Sequence, residues 1–211
     1  MAKVALGTTG EAALPEVWRA LVVEFITTFL FVFAGVGSAM ATDKLEGDAL
    51  VALFAVAVTH ALVVAVMTSG GHIFGDHLNP AVTLGLLCGG HITLFRSVLY
   101  WIDQLLAAAA ACYLLEYLSG GLTTPIHSLA SGVGYLQGVI WEIVLTFSLL
   151  FSLCYNSQQE WISLWIGPYT NWVYWVGPLI GGGLAGFIDE NFFIIEQTHL
   201  PIPTVEDALL G

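Results

Sequence analysis

The sequence predicts an all-α membrane protein, a bundle of about five spans with one re-entrant half-helix. Three observations lead there. Of 211 residues, 57% are hydrophobic and 9% charged, with a mean hydropathy of +0.85, whereas a soluble domain carries about 25% charged residues. The apolar residues gather into runs long enough to cross a hydrocarbon core, which takes about 20 residues of helix. One shorter run opens on Asn-Pro, a pair that starts a helix rather than continuing one.

The spans follow in order. Residues 1–19 hold Glu11 and Glu16 and read as a cytoplasmic segment. Ala20–Thr42 is the first span, with Glu24 its only charge. That run is too long for the apolar region of a signal peptide, so no cleavage is expected. Ala49–Met67 is the second, with His60 its only ionisable group. Val98–Leu115 carries Asp103, beside Gln104, where a capped or paired role is expected. Val133–Cys154 carries Glu142, and Trp172–Ile188 is the last span. Asn79–Cys88 is too short to cross but suits a re-entrant half-helix. Trp161–Ile166 is shorter still, and its tryptophans suit the lipid–water interface. The membrane domain thus covers 20–193, with 155–171 unlike the rest, and 194–211 is an acidic, exposed tail.

Charge narrows the function. Four cations, Lys3, Arg19, Lys44 and Arg96, face sixteen carboxylates, a formal net charge of −12. That excludes a basic nucleic-acid footprint and a polybasic membrane patch. Cys88, Cys112 and Cys154 form no disulfide or zinc pattern and read as small buried hydrophobes. No nucleophile–base pair, phosphate loop or metal cluster stands out, so neither an enzyme nor a cofactor is expected. Lys3, Arg19 and Arg96 fall on one side, cytoplasmic by the positive-inside rule, and Lys44 on the other. Five spans then put the two ends of the chain on opposite faces.

The chain also repeats itself. Glu24 to Phe33 matches Glu142 to Phe151 at an offset of 118, each a Glu with a Thr four positions later. Leu99-Tyr-Trp-Ile102 matches Val173-Tyr-Trp-Val176 at an offset of only 74. If one duplication produced both, the second copy lacks about 44 residues from its middle, the difference of the two offsets. In the first copy that middle holds the second span and His77-Leu-Asn-Pro-Ala-Val-Thr83. Asn79 there can cap the free N–H groups, and Pro80 sits where a helix needs no N–H. A half-helix ending in mid-membrane aims about half a positive charge at the space before it. Water would be oriented by its oxygen there and cations repelled.

Ser69-Gly-Gly-His72, the Asn79-Pro80-Ala81 motif, Gly89-Gly-His-Ile-Thr93 and Leu99-Tyr-Trp-Ile102 together resemble the major intrinsic proteins, the aquaporin family. Phe33-Ala-Gly-Val-Gly-Ser-Ala39, Ala57-Val-Thr-His60, Thr124-Pro-Ile-His-Ser128 and the run from Trp172 to Gly186 resemble its plant tonoplast members. The resemblance covers about residues 15–151 and 172–200. It implies an inverted-repeat bundle of six spans and two half-helices, each opening on Asn-Pro-Ala. This chain has one such motif, and no arginine after Arg96. The fifth span, the second motif and the pore arginine are all missing, so the second repeat is incomplete.

From the resemblance, Asn79, Pro80 and Ala81 are expected at the pore centre. His60 is expected as a selectivity-filter group, with a packing role the other reading. His127 is either a loop group reaching the same mouth or simply solvated. Glu24 and Glu142 are expected to hold their half-helix loops, Glu24 through the loop containing His77, rather than to relay protons. Phe74 and Asp76 stand where tonoplast members usually have Ser and Gly. The implied activity is passive passage of water and small neutral solutes across the vacuolar membrane, in homo- or hetero-tetramers embedded in lipid. The alternative is a non-conducting subunit that modulates full-length relatives.

Overall fold

The computed structural model describes residues 4–43, 48–68, 77–125, 129, 131–155, 172–189 and 191. A 3-10 turn, Thr9–Ala13, precedes six helices: α1 Pro15–Asp43, α2 Ala49–Thr68, α3 Pro80–Cys88, α4 Leu94–Leu118, α5 Tyr135–Tyr155 and α6 Val173–Ile188. The described residues contain no strand. α1, α2 and α4 are long and apolar enough to cross a membrane, while Tyr135–Phe151 of α5 and the whole of α6 are apolar but shorter.

The helices follow the apolar runs but begin where a cap allows. α1 starts at Pro15 rather than Ala20, because proline in the first turn forfeits an N–H that has no helical partner. α4 starts at Leu94 rather than Val98, because the Thr93 hydroxyl accepts from the Arg96 N–H at 3.2 Å. Asp103 therefore lies well inside a helix, where it caps nothing. Its Oδ2 is buried without a hydrogen-bond partner, so the pairing expected of it is absent at that atom.

The N-terminal segment straps across the first turn of α4. The N–H groups of Leu94 and Phe95, orphans at a helix start, donate to the carbonyls of Ala5 and Leu6 at 2.9 and 3.1 Å. Glu11 fastens the strap, accepting from the Thr8 N–H at 2.9 Å, the Thr93 hydroxyl at 3.0 Å and Arg96 Nε at 2.6 Å. The Thr8 N–H above all, then the Thr93 hydroxyl and the Arg96 guanidinium, hold its carboxyl below the ordinary value of 4.5.

Helix direction carries the repeat. α1 and α4 run parallel, with Val17 and Leu21 against Tyr100 near one end and Val36 and Met40 clustered with Ala111 and Leu115 near the other. α5 and α6 run parallel too, as close neighbours. Gly138 lies beside Val173, Gly177 beside Glu142, and Gly181 beside the backbone of Ile143 and Phe147. Since α5 begins beyond the far end of α4, the two pairs point in opposite directions, which is an inverted repeat.

The direction of α6 corrects one expectation. His91, in the turn between α3 and α4, lies 3.2 Å from Asp189 at the end of α6. α6 thus ends on the face where the strap lies, not on the opposite one. Five alternating spans would reverse it, but the second repeat keeps the parallel pairing of its outer helices even though nothing described returns between them as α2 does in the first. The end of α5 and the start of α6 consequently lie at opposite faces.

Candidate pore site

The start of α3 is built from its first residue. Asn79 is extended and its Oδ1 accepts from the Ala81 N–H at 2.7 Å, with Pro80 following as the first helical residue. Just before it, Leu78 has φ 57°, a left-handed backbone that costs about 1–2 kcal/mol for a residue with a side chain. Glu24 offsets that cost. Its two oxygens accept from the His77 N–H at 2.9 Å and the Leu78 N–H at 2.6 Å. Hydrogen bonds to a charged group contribute about 1.5–3 kcal/mol each, so the pair outweighs the strain.

α4 completes the frame. Gln104 Nε2 donates to Glu24 Oε1 at 2.7 Å and to the Thr83 hydroxyl at 3.1 Å, and Trp101 Nε1 donates to the Pro80 carbonyl at 3.0 Å. His77 Nδ1 lies 3.0 Å from the same Thr83 hydroxyl, and its ring stacks on Tyr100 with centroids 4.3 Å apart. Behind the half-helix, α6 presents glycine. A Cβ on Gly182 would fall on the Ala81 carbonyl, and one on Gly186 on the Gly85 carbonyl. α3 is therefore held at both ends, by a carboxylate in front and by backbone contact behind.

Its N-terminus faces a cavity of about 320 Å³. Asn79, Pro80 and Ala81 form one wall, and Thr28 and Gln104 stand beside them. The opposite wall is Tyr174, Trp175, Pro178 and Leu179 of α6, and the cavity reaches Thr124 beyond the far end of α4. A helix N-terminus and an Asn amide thus meet a mostly apolar surface. Such a site can orient a neutral molecule by its acceptor atom, but among the described residues it holds no cation to oppose the half-helix.

The other candidates are dispersed. His60 is 6% exposed, its Nδ1 lies 2.7 Å from the Val56 carbonyl, and its ring meets Phe31 edge-on at 6.1 Å and abuts Gly35. It sits between α1 and α2, outside the cavity lining. Glu142 stands against Gly177, and its carboxylate receives no hydrogen bond from the described residues. His127, Phe74, Asp76 and the tryptophans of 161–166 lie outside the described residues, as does the 194–211 tail. Gln104, Thr83 and Trp101 carry much of the frame without having stood out in the sequence. The available signal was an amide and a hydroxyl inside apolar segments, where unpaired polar groups are expensive.

An inverted pair of parallel helices closing on an Asn-capped half-helix defines an α-helical membrane protein of the re-entrant-loop type. The chain belongs to the major intrinsic protein family: the profile described as "Major intrinsic protein" matches residues 11–164. It is 56% identical to Aquaporin TIP4-1 of Arabidopsis thaliana, in an alignment covering 100% of both chains. It is 46% identical to Aquaporin TIP4-4 of Zea mays, covering 96% of this chain and 98% of the relative. Identity to Aquaporin TIP2-1 of Arabidopsis thaliana is 42%, over 98% and 100%. The first alignment runs over 250 positions against 211 residues here, so about 39 positions of that relative have no counterpart in this chain. That is close to the roughly 44 missing from the second repeat by its offsets.

Proposed function

We propose that this chain is a multi-pass channel protein of the plant vacuolar membrane whose pore centre is Asn79, Pro80 and Ala81. Its cargo is water and small neutral solutes, and it assembles as a tetramer with itself or with relatives. The carrying observation is the Glu24-anchored half-helix whose N-terminus opens on a cavity. The relatives named Aquaporin TIP support the cargo and the membrane. His60, at the level of Gly35 on the far side of mid-bundle, and His127 are its proposed outer-mouth groups.

Conduction by the chain alone is low in this reading. One half-helix supplies about half a positive charge, with no opposing dipole among the described residues. An apolar wall gains by closing, since burial is worth about 25 cal/mol per Å². Purified protein in liposomes is expected to shrink no faster than empty vesicles under osmotic shock in stopped-flow light scattering. Fast shrinkage that Asn79→Asp abolishes would overturn low conduction and establish a working single half-pore.

A second reading is a non-conducting subunit that packs against relatives through the outer face of α2, where Leu50, Val51, Leu53 and Phe54 are 65–71% exposed. That face suits lipid or a neighbouring subunit equally. Co-reconstitution with a full-length relative, read as flux per relative chain, separates the two.

A further inference from the structure

The two repeats differ in what rests on their last helix. α4 and α6 match at an offset of 74, and the match extends from sequence to packing. Ala111 of α4 corresponds to Ala185 of α6. The first is 0% exposed in the cluster with α1, the second 0% exposed in the cluster with α5. One register therefore turns the same side of each helix to its parallel neighbour. The adjoining side corresponds as well. On α6 it is Gly182 and Gly186, against which the backbone of α3 lies at Ala81 and Gly85. On α4 it is Ala108 and Cys112, and both line the cavity instead. The side that carries a half-helix on α6 borders a space on α4.

The anchor is duplicated too. Glu24 accepts from the N–H groups of His77 and Leu78, the two residues before the Asn79 cap. Its counterpart Glu142 stands beside Gly177, and Tyr174 and Pro178, on either side of that glycine in α6, line the cavity. Among the described residues the Glu142 carboxylate receives no hydrogen bond. A carboxylate is what a helix start calls for, since it accepts from free N–H groups and offsets the positive end of the dipole. The space is open on the α4 side, where the lining residue Leu105 is 50% exposed. One helical turn, about 10 Å across and about 5.4 Å high, fills roughly 420 Å³. A cavity of about 320 Å³ with an open side admits such a leading turn. Later turns would run along α4 from Ala108 toward Cys112, as α3 runs along α6 from Gly182 to Gly186.

We propose that this face is a docking site for a half-helix supplied by a second polypeptide. The occupant is a short apolar helix with an Asn-Pro start, its leading turn against Ala108 and Cys112 and the N–H groups before it on Glu142. The partner carries a segment of the kind this chain lacks, about 39 positions in the alignment with Aquaporin TIP4-1. A lipid acyl chain would also suit the apolar wall, but it offers Glu142 no donor. Docking is read by attachment, without any flux, so it stands or falls separately from conduction.

The probe is a synthetic peptide of residues 77–90 of this chain, with Cys88→Ser and photoleucine in place of Leu84. It is titrated into the whole chain in lipid nanodiscs, illuminated, and the attachment sites are mapped by mass spectrometry. Attachment should saturate at one peptide per chain and fall on α4 between Gln104 and Cys112. Glu142→Gln should weaken it at least about tenfold, through loss of hydrogen bonds to a charged group. Ala108→Leu puts a side chain where the peptide backbone must lie and should abolish it, and Cys112→Leu serves the same purpose if that variant fails to fold. Attachment that never saturates, or that spreads over the exposed Val22 and Ile26 of α1 as from a peptide dissolved in the bilayer, overturns the proposal. Unchanged attachment in both leucine variants overturns the seat, and unchanged attachment in Glu142→Gln overturns the anchor.

Discussion

Gln104 and Pro178 stand at matching places in the two halves of the molecule, 74 positions apart, and only Gln104 donates to its repeat's glutamate. Proline has no side-chain donor to offer. Among the described residues, the partners that make Glu24 the anchor of a half-helix are therefore missing around Glu142 for two reasons. The loop that would approach it has no counterpart among the described residues, and the facing helix carries the wrong residue.

The two glutamates should consequently respond differently to loss of charge. Glu24→Gln weakens two backbone hydrogen bonds and sets an amide against the Gln104 amide, at a cost of about 3 kcal/mol or more. Glu142→Gln is expected to stay within about 1 kcal/mol. Folded yield in detergent, read by size exclusion of a fluorescent fusion, should fall sharply for the first only. Equal losses would mean that Glu142 has a partner among residues 156–171.

Neighbouring glycines of α6 should part company as well. Gly182→Ala and Gly186→Ala each drive a methyl onto a backbone carbonyl that cannot rotate away, and overpacking of this kind costs about 1–3 kcal/mol. Gly183→Ala meets nothing closer than Cys88 Sγ at 3.9 Å and gains up to about 1 kcal/mol of helix propensity. Unfolding temperatures should fall for the first two and hold or rise for the third.

The strap should come undone in acid. Because the folded Glu11 carboxyl lies below its ordinary 4.5, its contribution is complete above that value and is lost as pH falls through the lower folded value. Hydrogen exchange at Leu94 and Phe95, corrected for intrinsic rate, should accelerate in that window. Glu11→Gln should show the faster exchange already at neutral pH, and protection unchanged in that variant would remove Glu11 from the role.

Both ends of the chain should face the same compartment. The His91–Asp189 contact places the end of α6 with the strap, so protease should reach tags at both termini from one side of sealed vesicles. A tag protected at one end only would restore alternating spans.

Much of this was legible in the residues. The helices follow from length and hydropathy, and Asn79-Pro80 declares its own cap, because those signals are local. The inverted repeat was visible in two matching stretches. The direction of α6 was not, because alternation assumes that each span returns the last, whereas glycine contacts along α5 decided it. The site divides in the same way. Asn79 and Glu24 stood out as polar groups in apolar surroundings. Gln104 did not, because its weight comes from two partners that lie 80 and 21 positions away. His60 was legible as a buried imidazole, but whether it turns toward a channel or a neighbouring helix depends on rotation about the α2 axis.

The parallel seam of α5 and α6 also bears on how the chain is made. No lysine or arginine follows Arg96, so the insertion machinery has no positive loop by which to orient the last helix. Its orientation has to be read from shape, as Gly177 and Gly181 find the ridge of Glu142, Ile143 and Phe147. That recognition is possible only once α5 is already in place. Insertion of the second half is therefore expected to depend on this seam, and a fault in it should appear first as mis-inserted protein rather than as a weakened native state.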